Sequence, residues 1–311
     1  MKRHDYGAGY KLHEEVRHPT PALQRAAQIG VLVHESPTLQ DREDKDAILV
    51  VAYGTSGKES REAAIEPVID AIAAVHPGAM VVPAFTNRAM IERIKAAEGI
   101  EIPWPEQALE RLLQEGYTRV AITALHFFPG IDYSFNLALF NFYREHFKKI
   151  VLGTPLMYWM NQEDQRDDVE EFVTALAGEL PARSEGDAVL LMAHGTPHPS
   201  NSYYTVLQER IWRAGLTDIY VYTMGGWPRL EHILPTLKER GIRRVHLWPL
   251  MVAVGSHVRR DMAGDGAESH KSILEAAGFE VIPYFQGLGE LPAIRALYVK
   301  RAEEAWDALT E

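Results

Sequence analysis

The sequence predicts an α/β protein of two similar halves, each a four-stranded parallel sheet covered by helices. Three observations carry that prediction. Eight short apolar runs recur along the chain, separated by segments of helical period. The runs are apolar throughout rather than alternating, as strands of a parallel sheet buried on both faces are. The last four runs also repeat local features of the first four, so the chain reads as an internal duplication.

Residues 1–45 precede this pattern and are polar, rich in His, Glu and Arg. One weakly amphipathic piece, residues 21–34 (PALQRAAQIGVLVH), has the period of a docking helix, the alternative to a plain surface arm. The arm as a whole is expected at the surface or at a contact within a homo-oligomer, without chemistry of its own. From Asp46, strands are expected at 47–53, 80–85, 119–128 and 149–155, and again at 188–193, 219–224, 244–254 and 279–285. Helices are expected at 59–75, 89–97, 104–115, 134–147, 162–178, 201–214, 229–240, 267–277 and 290–308. Gly116, Gly215, Gly241 and Gly278 close several of them, the usual place for a C-terminal glycine. The expected domains are an amino-terminal half over 46–156, a crossover over 157–187 and a carboxyl-terminal half over 188–311.

The repeat can be followed residue by residue. Ala52-Tyr-Gly-Thr55 answers Ala193-His-Gly-Thr196, Ile91-Glu-Arg-Ile94 answers Leu230-Glu-His-Ile233, and Gly116-Tyr-Thr-Arg-Val120 answers Gly241-Ile-Arg-Arg-Val245. Tyr53 therefore stands where the second half has His194. Registering Gly130 on Gly255 sets Asp132 opposite His257 and His126 opposite Met251. Two such halves facing one another are expected to form a cleft at their strand ends, with chemistry concentrated on the histidine-bearing side.

Composition narrows the function. A content of 46% hydrophobic and 24% charged residues over 311 positions is that of a globular protein with one large core or two ordinary ones. The net charge of −11, from 43 acids against 32 Lys and Arg without a long basic run, argues against nucleic acid as partner. With 0 cysteines there are no disulfides, thiolate metal sites or cysteine nucleophiles. No run approaches the length of a membrane span and no apolar segment follows Met1-Lys-Arg, so no membrane partner and a cytoplasmic location are expected.

The stretch Ala188–Tyr204 leads the site hypothesis, because a fully apolar strand ends abruptly in His194-Gly195-Thr196. Ligands bind at the carboxyl ends of strands in open α/β sheets, and a glycine there lets backbone approach them closely. His257, in Val-Gly-Ser-His-Val-Arg-Arg-Asp, is a second strand-end imidazole, and His126 in Ala-Leu-His-Phe-Phe-Pro-Gly a third. Neutral imidazole both ligates divalent metals and accepts protons near neutral pH. His198 carries no signal of its own. Gly54-Thr-Ser-Gly-Lys-Glu-Ser60 is too short for a phosphate loop, so no nucleotide is expected; its backbone and Lys58 can instead hold a carboxylate. Arg88, Arg259 and Arg260 are the other cations at strand ends. Tyr53, Phe85, Phe127, Phe128, Tyr203, Tyr204 and Trp227 would suit a flat conjugated ligand, although core packing also explains aromatics at such places.

Taken in order, AYGTS (52–56), AFTNRAMIERI (84–94), ALHFFPG (124–130), MAHGTPHPSNSYY (192–204), HLWPLMVAVGSHVRRDMAGD (246–265) and GLGELPAIRALY (287–298) resemble the anaerobic-pathway sirohydrochlorin cobaltochelatases. The resemblance runs from about Asp46 to Arg301. It implies the class II chelatase fold of two flavodoxin-like halves, and insertion of a divalent metal substrate, Co2+ or Fe2+, into a tetrapyrrole without ATP. It implies His194 and His257 as catalytic and metal-contacting residues. Around them it implies a tetrapyrrole site of Gly54, Thr55, Ser56, Phe85, Thr86, His126, Phe128, Ser202, Tyr203 and Met224. One position departs: where the family carries a glutamate before a Pro, this chain reads Thr223-Met-Gly225-Gly-Trp-Pro228. Asp132, His126 or a substrate carboxylate then substitutes, or Met224 and a roomier pocket alter the choice of metal or ring, or the protein carries a tetrapyrrole without inserting metal. A periplasmic-type solute binder is a third reading, which the absence of a signal-like segment opposes.

Overall fold

All eight apolar runs form strands, and a ninth precedes them. The computed structural model describes residues 16–162 and 165–311, so the first fifteen residues of the arm and two of the crossover lie outside the described part. In chain order the elements are α1 (Pro21–Ala26), β1 (Leu32–Glu35), β2 (Asp46–Ala52), α2 (Lys58–Ala64), α3 (Glu66–Val75), β3 (Met80–Phe85), α4 (Arg88–Glu98), α5 (Pro105–Gln114), β4 (Arg119–Ala124), α6 (Ile131–Tyr143), β5 (Lys149–Leu152) and α7 (Asp168–Ala177). Then follow β6 (Asp187–Ala193), α8 (Tyr203–Arg213), β7 (Ile219–Thr223), α9 (Leu230–Glu239), β8 (Arg244–Pro249), α10 (Ser256–Ala263), α11 (His270–Ala276), β9 (Glu280–Pro283) and α12 (Pro292–Thr310).

The chain divides into two compact units that do not follow the two halves in sequence. The first comprises residues up to Gly54, Ile69–Arg166 and Leu297–Glu311; the second comprises Thr55–Val68 and Asp167–Ala296. Within the second unit, α2 rests on the turn before α12 so closely that a Cβ on Gly289 would lie 1.9 Å from the Ala64 carbonyl. That approach binds Thr55–Val68 to the later part of the chain, and only glycine permits it.

The first unit holds a sheet in the order β1-β5-β4-β2-β3, parallel except for β1, which runs antiparallel to β5. The second holds a parallel sheet in the order β7-β6-β8-β9. Without β1 the two orders are the same, with β2 matching β6 and β4 matching β8, and this is the duplication in three dimensions. Ile48–Val51 and Ala188–Ala193 are fully buried, as central strands covered on both faces must be. Leu49, Val51, Ile122, Phe140 and Leu152 belong to one core, and Leu190, Met192, Tyr222, Leu247 and Leu274 to the other.

Several expectations need correction. The first sheet has five strands rather than four, because the piece of helical period over 21–34 is divided. Its first part forms α1, which buries no residue. The chain then turns at Gly30, at φ +84°, with the Trp159 ring where a Cβ would stand, and Leu32–Glu35 pairs with β5. The helix expected over 59–75 is two, because Pro67 has no N–H to continue the first. The long strands expected at 119–128 and 244–254 stop at Ala124 and Pro249, and their apolar continuations are loops. Among the described residues, no helix is long and apolar enough to cross a membrane.

Candidate functional site

In the second unit, β7, β6 and β8 are neighbours and all end at the same sheet edge. Met224 and Gly225 follow β7, His194 follows β6, and His257 opens α10 after the loop that follows β8. The loop after β6 is built around glycine: Gly195 has φ +80°, and a Cβ there would lie 2.4 Å from the Gly226 backbone nitrogen. A Cβ on Gly226 would in turn lie 2.2 Å from Asn201 Oδ1. Asn201 ties the two loops together, accepting from the Thr196 N–H at 3.3 Å and donating to the Trp227 carbonyl at 2.8 Å. Gly225 N donates to the His194 carbonyl at 3.0 Å, and buried Tyr204 bonds the Gly195 backbone. Burial pushes the Tyr204 hydroxyl pKa up to about 12, so it remains a neutral support for the loop.

His194 is exposed, with Nδ1 3.1 Å from the Gly195 carbonyl oxygen. A carbonyl only accepts, so the neutral ring carries its proton on Nδ1 and presents the Nε2 lone pair. His257 is the second residue of α10, after Gly255 as N-cap, just as Asp132 is the second residue of α6 after Gly130. The register drawn from the duplication therefore holds at helix starts. His257 touches Asp261 through Nε2 at 3.0 Å and Arg260 through Nδ1 at 2.6 Å. The sequence reading missed α10 and with it Asp261, whose i,i+4 spacing from His257 was the available signal.

The other expected site residues are distributed over both units. The second unit contains Thr55, Ser56, Ser202, Tyr203 and Met224. Thr55 is buried, and its Oγ1 would lie 3.2 Å from a Cβ on Gly255, at the start of α10. Ser202 is exposed, while Ser56, Tyr203 and Met224 are half-buried. His198 caps the turn before α8 through Nδ1, which accepts from Ser200 N at 3.1 Å, and this explains it structurally. Gly225 is exposed, and a Cβ there would meet nothing nearer than the His194 carbonyl at 3.5 Å, so the backbone admits a side chain. Among the described residues, no group of three or more His, Cys, Asp or Glu is gathered as a metal site.

The first unit contains Gly54, Phe85, Thr86, His126 and Phe128. Gly54, at φ +92°, lies on the Phe85 ring, which is 2% exposed and so supports the strand end from beneath. Thr86 Oγ1 donates to Asp132 at 3.3 Å. Phe128 is half-buried beside Phe127, with ring centres 5.8 Å apart. His126 is enclosed, and burial pushes its pKa down to about 4 against the opposing pull of Asp132. It is a neutral imidazole at ordinary pH, with Nδ1 3.4 Å from the Asn136 amide nitrogen.

Lys58, Arg88, Arg259 and Arg260 are the strand-end cations available to an anionic ligand. Arg88, in the first unit, lies over the Trp104 ring at 4.5 Å. In the second unit Lys58 faces Glu62 at 3.7 Å, Arg259 lies over Phe285 at 4.9 Å, and Arg260 caps His257. Of the aromatics, Tyr53 and Trp227 are exposed, while Phe85 and Tyr204 are buried.

A family model described as cobalt chelatase (CbiK) matches residues 46–307. The sirohydrochlorin cobaltochelatase of Salmonella typhimurium is 32% identical over 267 residues, covering 86% of this chain and 98% of the relative. Sirohydrochlorin cobaltochelatase CbiKC of Nitratidesulfovibrio vulgaris is 34% identical over 270 residues, covering 86% and 93%. Among solved structures, SirB from Bacillus subtilis with Fe3+ aligns at a TM-score of 0.59 and 16% identity, over 84% of this chain and 95% of that one. The sirohydrochlorin chelatase SirB from Bacillus subtilis subspecies spizizenii in complex with cobalt aligns at 0.54 and 14% identity, over 85% and 96%. At these identities the two structures speak for the fold.

Proposed function

The chain belongs to the CbiK cobalt chelatase family, and from that premise we propose that it is a metallochelatase. It inserts a divalent metal, cobalt first and iron as competitor, into sirohydrochlorin or a close relative, without a nucleotide. One observation carries the assignment of residues: His194 directly follows β6, and His257 opens α10 after the loop that leaves the adjacent parallel strand β8, at the same sheet edge. The names of the relatives supply the metal and the macrocycle.

Insertion exchanges two pyrrole N–H protons for one dication, so the site needs a metal contact and a proton acceptor together. His194 offers a single lone pair, on Nε2, because Nδ1 is held by the Gly195 carbonyl; it contacts the metal first and, once the metal has passed to the macrocycle, takes up one of the two protons while the other leaves to solvent water. The loop that carries it is held by Asn201 and the Gly195–Gly226 contact, so the imidazole is oriented before substrate arrives. His257 supplies the second imidazole. Imidazole accepts Co2+ and Fe2+ alike, so these two nitrogens alone do not select between them. Lys58, Arg259 and Arg260 are the cations of the same unit that meet the carboxylates of the macrocycle.

The test is metal insertion followed by absorbance. His194→Ala is expected to lose insertion with both Co2+ and Fe2+, and wild-type rates in that variant would remove His194 from the mechanism. Gly225, with no three-group metal cluster among the described residues, favours a second reading, a tetrapyrrole carrier on a chelatase scaffold. Tight binding of the metallated ring with no turnover of the metal-free ring would support the carrier.

A further inference from the structure

Helix α10 sets positions 257, 260 and 261 on one face, as i, i+3 and i+4 spacing requires. Arg260 Nη2 lies 2.6 Å from His257 Nδ1, Asp261 Oδ2 lies 3.0 Å from His257 Nε2, and Arg260 Nε lies 3.0 Å from Asp261 Oδ1. A guanidinium donates hydrogen bonds and never accepts them. Nδ1 of His257 must therefore carry the lone pair, while Nε2 carries the proton and donates it to Asp261. In this arrangement the nitrogen able to bind a metal is the one covered by a cation.

The cover is light. The side chains of His257 and Arg260 are 64% and 70% exposed, so water competes for both, and the contact biases the ring without locking it. A carboxylate has the stronger claim on a guanidinium, because it accepts two parallel hydrogen bonds and carries the opposite charge. The substrate of the proposed reaction is a polycarboxylate.

Resting on the reading that His257 contacts the metal, we propose that Arg260 is a substrate-released cap on that histidine. A tetrapyrrole carboxylate draws the guanidinium off Nδ1 and uncovers its lone pair, so the affinity of His257 for metal rises after the macrocycle has bound. Asp261 is a positioning residue: it holds the Nε2 proton and the ring orientation, as a carboxylate behind a ligating histidine does. The device orders the two substrates and keeps the site from filling with metal while no ring is present to receive it.

The test is a titration with Co2+ alone near neutral pH, read by equilibrium dialysis, on wild type, Arg260→Ala, Arg259→Ala, His257→Ala and the Arg260→Ala/His257→Ala double variant. Removing the cap is expected to tighten Co2+ binding about fivefold, the worth of one modest hydrogen bond. Arg259→Ala removes the same charge from beside Phe285 and is expected to change Co2+ affinity by under about twofold at physiological salt. Metal-free sirohydrochlorin, followed by its fluorescence, is expected to bind Arg260→Ala about fivefold more weakly. The opposite signs are the signature, since a damaged fold weakens both. Absence of tightening in Arg260→Ala, or equal tightening in Arg259→Ala, overturns the cap. If Arg260→Ala does not tighten but adding His257→Ala to it weakens binding, the cap alone fails and the metal reading stands. If the tightening survives in the double variant, the uncovered nitrogen is not that of His257, and the metal reading fails instead.

Discussion

Acidification should unfold this protein through His126 before it disturbs the surface ion pairs. Burial holds the His126 pKa at about 4 in the folded chain, against an ordinary 6.5 once unfolded. Between those values the unfolded chain takes up a proton that the folded chain refuses. Stability therefore falls as pH drops from 6.5 to about 4, and this histidine causes no further loss below that. A gap of about 2.5 pH units, at about 1.4 kcal/mol each, gives a total of about 3.5 kcal/mol, of which about 2 kcal/mol has accrued by about pH 5. The assay is urea unfolding at about pH 7 and about pH 5, for wild type and for His126→Gln, whose side chain stays neutral at both. Wild type is expected to lose about 2 kcal/mol more than the variant over that interval. His76 and His270 are also depressed by burial and weaken both proteins alike, so the difference isolates His126. Equal losses in the two proteins would refute the reasoning and move His126 out of its enclosed setting.

Two further outcomes follow from the loop glycines. Gly195→Ala puts a Cβ 2.4 Å from the Gly226 nitrogen at a φ of +80°, and is expected to cost about 2–4 kcal/mol in urea unfolding and to abolish insertion; a stable, active variant would disprove the account of the loop. Gly225→Glu has room for its Cβ, and is expected to tighten Co2+ binding about tenfold in equilibrium dialysis by adding a carboxylate beside the histidines; unchanged affinity would mean that position 225 does not face the metal.

What could be read in advance followed from how strongly burial marks a residue. The central strands β2 and β6 are enclosed on both faces, and continuous apolar runs announced them. The edge strand β1 has one buried residue in four, a pattern of burial indistinguishable from a polar arm, so its pairing with β5 was invisible. Helix α10 was hidden for the related reason that it buries only Val258 and Met262, leaving SHVRRDMA to read as a polar loop after an apolar strand. His194 was legible because a strand end followed by glycine is a physical signal in itself. The bonding of His257 to Arg260 and Asp261 was not, because it depends on α10 being helical. Phe85 was legible as an aromatic near the site but not as a buried support, since its ring is covered by Gly54, more than thirty residues away in sequence.

The backbone contact between Gly195 and Gly226, bridged by Asn201, makes one mount of two loops. Lengthening or shortening either loop would open both, so neither can be remodelled by insertion or deletion without losing the placement of His194. Position 225 escapes this restriction, because a side chain there displaces no backbone. The architecture thus confines change at this corner to a single interchangeable fitting on a frame of fixed dimensions, and a chain carrying glycine there keeps the frame intact while leaving the fitting out.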